Sequence, residues 1–241
     1  MAIAHVGDIN TDGTVASPGP TLTYSSTGGN TLVAAGVVFT GTTSVTGITS
    51  VTDSAGNTWT VATANSQNPP SVRGTDGTNF YVVFIAYVLG ASAVTSVTVS
   101  DGTGHSDFWN VQVSEWSGVN SAEQASAASG TGANPSLTWT IGNAGDLVIA
   151  YMDSSAGSPS FPANLTHYGS NPGNIFGGYA FPGATGSFSA AWTMASSDYG
   201  IAGLVLSPAG GTSAPAGNAA SSGAVTAAAG ALALNMTIQG H

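Results

Sequence analysis

The stretch Phe80-Tyr81-Val82-Val83-Phe84-Ile85-Ala86-Tyr87-Val88 decides the fold class of this chain. It is apolar at every position, and its length suits a strand and falls far short of a membrane-spanning helix. A strand that is apolar on both faces belongs in the middle of a sheet, with its second face covered as well as its first. The segments Asp146 to Tyr151 and Ile201 to Leu206 show the same pattern. The sequence therefore predicts a core built from covered strands.

Outward from this stretch, apolar and polar residues alternate with a period of two, and helical periodicity is hard to find. Gly, Asn, Asp, Ser or Pro interrupts the alternation about every ten residues, which is typical of a sandwich or a barrel. We expect an all-β fold, an antiparallel two-sheet sandwich of jelly-roll-like form with about a dozen strands. The expected strands are 21–24, 31–40, 48–52, 58–63, 80–88, 94–100, 108–116, 136–141, 146–152, 175–181, 187–192 and 200–206.

The composition divides the chain into three parts. Residues 1–20 are expected to form an N-terminal arm, and residues 21–208 the β-sandwich domain. Residues 209–241 are rich in Ala, Gly and Ser, too poor in large apolar groups to build a core of their own. We expect them to form an extended arm that ends in a strand near 231–238 and is held by another subunit.

The charge of the chain excludes several partners. Its 241 residues include one basic side chain, Arg73, against 11 carboxylates, which gives a formal net charge of −10. Phosphate backbones and anionic membranes are bound by Lys and Arg, so we expect neither nucleic acid nor membrane as a partner. Charged residues make up 5% of the chain, against a norm of about 25%. Such a surface favours contact with other proteins or with sugars.

The first residues show no basic and apolar signal segment, and Cys is absent from the chain. A surface of extracellular type without an export signal fits a virion component, assembled in the host cytoplasm and released by lysis as part of an extracellular particle. The alternative is a secreted protein whose signal has been removed.

Glu115 is placed beside apolar residues by the alternation in the strand 108–116. Trp109, Val111, Val113 and Glu115 fall on one face, and Phe108, Asn110, Gln112, Ser114 and Trp116 on the other. A buried carboxylate needs a partner, and Arg73 is the only side-chain cation available. The sequence predicts a structural ion pair between Arg73 and Glu115.

The segment Asp53-Ser54-Ala55-Gly56-Asn57 is the one candidate metal site. Asp53 and Asn57 offer side-chain oxygens of the kind that bind Ca²⁺. The alternative, which turn chemistry favours, is a hairpin turn in which Asp53 accepts hydrogen bonds from backbone N–H groups and Gly56 takes a positive φ. Apart from this Ca²⁺ candidate, we expect no cofactor.

No catalytic motif is found in the sequence. The spacings of a nucleophile elbow, a zinc-protease helix, a phosphate-binding loop and a dinucleotide fingerprint are all missing. Aromatic residues provide the other candidate site, because aromatic faces stack on sugar rings. At strand spacing an aromatic residue lies more often in the core than on such a surface. Trp59 and Trp116 lie near strand ends and are therefore the candidate glycan contacts.

Two segments together resemble a recurrent all-β module of bacteriophage virion proteins and some bacterial surface proteins. They are Val51-Thr52-Asp53-Ser54-Ala55-Gly56-Asn57-Thr58-Trp59 and Val113-Ser114-Glu115-Trp116-Ser117-Gly118-Val119. The Ala/Gly-rich stretch 223–234 is similar to repeat units of such proteins. The resemblance implies a structural or binding role on a particle. Head decoration, tail component and fibre all fit it.

The leading expectation is a non-enzymatic capsid decoration or cement protein. Its partners would be major capsid or tail proteins and copies of itself, in a homo-oligomer. The alternative is a tail or fibre adhesin, or a carbohydrate-binding module, that recognises host surface glycans. A third hypothesis, a glycoside hydrolase on a jelly-roll scaffold, requires two carboxylates about 5 to 9.5 Å apart across a cleft.

Overall fold

The computed structural model describes residues 1–40, 47–62, 71–75, 80–102, 104, 106–154, 159–168 and 175–210, with backbone only for strand residues 40, 71–75, 80, 175 and 176. This part of the chain forms sixteen strands. They are β1 (Ala4–Ala16), β2 (Thr21–Thr23), β3 (Thr31–Thr40), β4 (Ser50–Asp53), β5 (Thr60–Val61), β6 (Ser71–Thr75), β7 (Phe80–Val88), β8 (Ser96–Ser100), β9 (Ser106–Ser117), β10 (Val119–Gly132), β11 (Ser136–Ile141), β12 (Leu147–Ser154), β13 (Thr166–His167), β14 (Ile175–Ala180), β15 (Gly186–Ala191) and β16 (Ser197–Pro208).

The strands pair as two long hairpins, each rolled up on itself. In the first half of the chain β1 pairs with β9, β2 with β8 and β3 with β7, all antiparallel. The second half repeats the scheme, since β10 pairs with β16, β11 with β15 and β12 with β14. Nested pairing of first with last strand is the topology of a jelly roll. The expected all-β, antiparallel, jelly-roll-like fold is confirmed.

The strands form four sheets, which pack face to face in the order II, I, III, IV. Sheet I has the order β1-β9-β3-β7-β5, with β6 also paired to β7, and sheet II has the order β2-β8-β4. Sheet III has the order β10-β16-β12-β14-β13, and sheet IV consists of β11 and β15. One apolar cluster joins sheets II and I, a second joins I and III, and a third joins III and IV. The expectation of two sheets is therefore corrected to four.

The strand that predicts the fold explains this stacking. In β7, Val82, Phe84 and Ala86 point into the cluster shared with sheet II, whereas Tyr81, Val83 and Ile85 point into the cluster shared with sheet III. Strands β12 and β16 of sheet III divide their side chains in the same way between sheets I and IV. Because both large sheets are apolar on both faces, each needs a layer on either side, and the two jelly rolls pack back to back.

The repeat is also visible in the sequence. Pro20-Thr21-Leu22-Thr23-Tyr24 corresponds to Pro135-Ser136-Leu137-Thr138-Trp139, and Leu32-Val33 to Leu147-Val148, at a constant offset of 115 residues (20 to 135, 32 to 147). The offset extends to the facing of the second strands, because Leu22 and Leu137 each lie in the cluster between the small and the large sheet of their half. It does not extend to the facing of the third strands, because Leu32 faces sheet II whereas Leu147 faces sheet I. The region expected as one sandwich domain thus consists of two topologically equivalent halves that meet at Gly118.

The expected N-terminal arm contains a strand of sheet I. Strand β1 pairs with β9 along its length, and its residues are exposed or half-buried in alternation. Large apolar residues are sparse in β1, which is why the period of two is faint in its sequence. The expected C-terminal arm lies outside the described residues from position 211 onward, and the backbone N–H of Ala209 donates to the carbonyl of Gly118 at 3.2 Å.

Among the described residues, none belongs to a helix with the length and hydropathy of a membrane span.

Candidate functional site

Glu115 is a buried carboxylate held by three neutral donors. Its Oε2 accepts a hydrogen bond from the Tyr24 hydroxyl at 2.9 Å. Its Oε1 accepts from the backbone N–H of Thr27 at 2.9 Å and from the Asn30 side-chain amide at 2.6 Å. All three donors lie in the segment that joins β2 to β3. Burial, together with the Glu115 carboxylate, raises the pKa of Tyr24 far above its ordinary value.

The predicted partner of Glu115, Arg73, lies elsewhere in sheet I. Arg73 pairs with Val82 on β7, which lies opposite Val38 on β3, and Val38 lies opposite Trp109 on β9. Three strand spacings amount to about 14 Å, and the distance along β9 from Trp109 to Glu115 adds about 20 Å in the perpendicular direction. The side chain of Arg73 lies outside the described residues, but its backbone is too distant for contact. The expected ion pair is replaced by hydrogen bonds from neutral groups.

Asp146 performs the same task in the second half. Its Oδ2 accepts from the backbone N–H groups of Gly142 and Asn143 at 3.1 and 2.9 Å, and its Oδ1 accepts from the Ser207 hydroxyl at 2.5 Å. Gly142 is the residue equivalent to Thr27 at the offset of 115. Each half therefore fixes the same loop with a buried carboxylate. The carboxylate comes from β9 in the first half and from the residue before β12 in the second.

Asp53 forms the predicted hairpin turn. Its Oδ1 accepts from the backbone N–H groups of Ala55 and Asn57 at 2.9 and 3.2 Å, and Gly56 has a φ of 73°. Its Oδ2 accepts from the Asn57 amide at 3.0 Å and from the Trp59 indole N–H at 2.7 Å. The turn interpretation is confirmed.

These contacts bear on the Ca²⁺ candidate. Both oxygens of Asp53 are acceptors, and Oδ1 of Asn57 accepts from the backbone N–H of Ser92 at 2.8 Å. A cation would have to displace these N–H donors. No group of three or more His, Cys, Asp or Glu residues that could hold a metal ion is found among the described residues. Burial acts to raise the pKa of Asp53, but hydrogen bonds from Trp59, Asn57 and Ala55 outweigh it and lower the pKa.

The two candidate glycan contacts do not form a common surface. Trp116 is 0% exposed, and its indole N–H donates to the Ser114 hydroxyl at 2.9 Å. The prediction of an exposed Trp116 is wrong, because sheet III covers that face of β9. Trp59 is half-buried against the cluster between sheets I and II, and its N–H is bound to Asp53.

Trp116 is the centre of an aromatic cluster at the junction of the two halves. Its ring centroid lies 4.8 Å from that of His5, 5.0 Å from Tyr179, 6.3 Å from Phe181 and 6.5 Å from Tyr168. Here the first residues of β1 and the last of β9 meet the edge of sheet III. Phe181 is 45% exposed, whereas Trp116 and Tyr168 are buried beneath. The cluster therefore presents an aromatic surface to solvent.

A polar row runs from this cluster along β1. Its exposed members are Asp8, Asn10 and Asp12, which lie opposite Ser114, Gln112 and Asn110 on β9. The Gln112 side-chain amide donates to Asp8 Oδ2 at 2.5 Å, and the Tyr151 hydroxyl donates to Asn110 Oδ1 at 3.0 Å. Burial raises the pKa of Tyr151, and the Asp12 carboxylate raises it further.

The spacing of these acids bears on hydrolytic chemistry. Asp8 and Asp12 are four residues apart on one strand, so their backbone positions are separated by about 13 Å. A glycoside hydrolase requires carboxyl groups about 5 to 9.5 Å apart on either side of the bond. The pair does not provide this geometry.

No protein-family model, curated protein or solved structure matches this chain. The proposals on function are therefore based on the residues and contacts described above and on the resemblance of the two segments. The aromatic cluster was missed at the level of sequence because His5 falls within the expected arm. The alternation of Tyr179 and Phe181 at the end of the expected strand 175–181 was the available signal.

We expect Glu115→Gln to destabilise the protein by about 1–3 kcal/mol, since an amide N–H₂ would then face an N–H or O–H donor in a buried site. Urea unfolding followed by tryptophan fluorescence measures the change. Asp12→Asn is the matched control at an exposed position and should stay within about 0.5 kcal/mol of wild type. Equal effects of the two substitutions would contradict the role given to Glu115.

The lowered pKa of Asp53 predicts a dependence on pH. The stability that its carboxylate contributes is present above the ordinary pKa of 3.8 and is lost as the pH falls through the lower value of the folded state. At pH 7 Asp53→Asn should lower the melting temperature. The difference between variant and wild type should shrink as the pH drops below 3.8, as measured by calorimetry at several pH values. A difference that is constant from pH 7 to pH 2.5 would exclude this linkage.

Proposed function

We propose that the protein is a non-enzymatic structural protein of a bacteriophage virion, a capsid decoration or cement protein that binds the particle surface and neighbouring copies of itself. The observation that carries the assembly role is a pair of long strands whose outer edges are open. The particle setting is supported by the resemblance of residues 51–59 and 113–119 to modules of virion proteins.

The open edges belong to β1 and β10. Among the described residues, each has a partner strand on one side only, β9 for β1 and β16 for β10. They contain 13 and 14 residues, and neither contains Lys, Arg or Pro, residues that commonly protect the edges of sheets. Register shifts interrupt both strands near their first residues, between His5 and Gly7 in β1 and between Val119 and Gln124 in β10. The regular stretches that follow offer a row of backbone donors and acceptors to a further strand. Repeated addition of neighbours is the contact that a cement protein needs.

The two segments of the resemblance have structural roles that support the same proposal. Residues 51–59 contain the end of β4 and the Asp53 turn, and residues 113–119 contain Glu115 and the connection from β9 to β10. Both hold the scaffold together through buried or half-buried polar contacts. Such a stabilising role is expected of the two segments in a structural protein.

The composition determines the type of contact between copies. With one basic side chain in 241 residues, ion pairs within or between copies are few. Contacts between subunits must then rest on backbone and amide hydrogen bonds and on apolar surface. Such contacts depend little on ionic strength.

A single lysine on an open edge should weaken self-association. We expect Asn10→Lys on β1 or Ser129→Lys on β10 to raise the dissociation constant at least about tenfold, measured by sedimentation velocity over a range of concentrations. Asn134→Lys, in the exposed turn after β10, makes the same change of charge away from the edge and should leave the constant within about twofold.

The wild-type constant should also change by less than about threefold between 0.1 and 1 M NaCl. A wild-type protein that stays monomeric at all concentrations, or one that dissociates steeply with salt, would contradict the edge-pairing proposal.

The virion setting has its own test. Mass spectrometry of purified particles of a phage that encodes this chain should find it at a copy number comparable to that of the abundant structural proteins. Its absence from intact particles, in a search that detects those proteins, would end the proposal whatever the self-association measurements show.

A further inference from the structure

One surface, formed by side chains at the start of β1 and at the end of β14, combines groups that recognise a small ligand. We name it the junction patch, and it consists of His5, Asp8, Tyr179 and Phe181. The side chains of His5 and Asp8 are 29% and 33% exposed, Phe181 is 45% exposed, and Tyr179 is half-buried. All four lie where sheet I meets the edge of sheet III.

The aromatic part of the junction patch is held rigidly. Tyr179 and Phe181 are two residues apart in an extended segment, so their side chains lie on the same face. Their ring centroids are 6.2 Å apart with planes at 77°, and Tyr179 stacks on His5 at 5.7 Å with planes at 27°. Beneath them the buried Trp116 contacts Tyr179 and Phe181 edge to face. Little side-chain freedom remains to be lost when a ligand binds.

The polar part of the junction patch is also fixed in orientation. Asp8 Oδ1 lies 3.7 Å from His5 Nε2, while Asp8 Oδ2 accepts a hydrogen bond from the Gln112 amide at 2.5 Å. Gln112 is itself buried on β9. Asp8 Oδ1 and His5 Nε2 therefore lie side by side. The carboxylate oxygen can accept a hydrogen bond, and the imidazole nitrogen can donate or accept one. Two neighbouring hydroxyl groups of one ligand fit such a pair.

Charge restricts the class of ligand. The chain has a net charge of −10, and its only basic side chain, Arg73, lies on β6, away from the edge formed by β1. Phosphorylated, sulfated or sialylated ligands would meet a carboxylate without a counter-charge. A purely apolar ligand would cover the free side of the Asp8 carboxylate and the His5 imidazole without offering them a hydrogen bond. An uncharged ring with one apolar face and several hydroxyl groups satisfies both requirements.

We infer that the junction patch binds a neutral hexopyranose unit of a glycan, with the sugar ring on Phe181 and Tyr179 and two of its hydroxyl groups on Asp8 and His5. This goes beyond the assembly role and does not depend on it. The patch uses side chains of β1 in sheet I and of β14 and the residue after it in sheet III, whereas strand addition uses backbone groups at the sheet edges. It also moves the glycan-binding alternative away from Trp59 and Trp116 to residues that are exposed together.

The chain supplies a matched control for the aromatic contact. Phe108, at the opposite end of β9, is 39% exposed and lies on the same face of sheet I as Trp116. It packs against Phe39 in an edge-to-face arrangement, with ring centroids 5.8 Å apart. Phe108→Ala therefore removes a similarly exposed aromatic ring from a place where neither Asp8 nor His5 is near.

The test is binding of the full chain to an array of neutral and sialylated oligosaccharides, followed by titration of the best neutral oligosaccharide by calorimetry. We expect binding to at least one neutral glycan. Phe181→Ala and Asp8→Asn should each weaken it at least about tenfold, while Phe108→Ala should leave it within about twofold. Melting temperatures of the variants show that each is folded.

Three results would overturn the inference: binding to no neutral glycan, a preference for sialylated glycans, or equal losses in Phe181→Ala and Phe108→Ala. None of them bears on self-association or on the presence of the chain in particles. Failure of the junction patch is therefore distinguishable from failure of the assembly proposal.

Discussion

A buried carboxylate without a cation is the constraint on which each half of the molecule depends. The chain can supply few ion pairs, because it has one basic side chain other than His. Glu115 is instead satisfied by N–H and O–H donors from the loop that precedes the third strand, and Asp146 by two N–H donors of the equivalent loop and by the Ser207 hydroxyl of β16. A buried ion is tolerated only when its lone pairs are occupied, so the loop and the carboxylate stabilise one another.

The second constraint is the apolar character of both faces of the two large sheets. It requires four layers, and it brings two equivalent jelly rolls together back to back. The apolar contact between sheets I and III stops at the edges of these sheets. At one end the edge of sheet III leaves β1 partly uncovered, and this is why Phe181, His5 and Asp8 remain in contact with solvent while Trp116 is buried. The open edges and the junction patch are thus both consequences of how two sandwiches share one core.

The same scarcity of cations connects the structure with the proposed function. A surface of hydroxyl, amide and backbone groups suits the proposed strand addition between copies and the proposed binding of uncharged sugars, since both use hydrogen bonds without a basic side chain. The proposed assembly through β1 and β10 would use backbone groups, whereas the proposed recognition through the junction patch would use side chains of sheets I and III. A particle protein that both attaches to its neighbours and presents a glycan site would need this separation.

The sequence by itself determined what depends on local pattern. Nine consecutive apolar residues predicted a covered central strand, the alternation in β9 assigned Glu115 and Trp116 to opposite faces, and Asp53 with Gly56 predicted a turn. It also contains the short repeat of residues 20–24 at 135–139, which becomes interpretable once the strand pairings of the two halves are compared. Local spacing is sufficient for such features because strand periodicity and turn chemistry act over a few residues.

Only the tertiary structure decided which distant groups meet. Glu115 is 88 residues from Thr27 in the chain, and no local pattern shows that this loop, and not Arg73, satisfies it. The faint alternation of β1 became a strand because β9 offered it an edge, and Trp116 was buried because a second sandwich covered its face. Partner choice and burial depend on contacts between elements far apart in sequence. The number of layers, the open edges and the junction patch were therefore decided by packing.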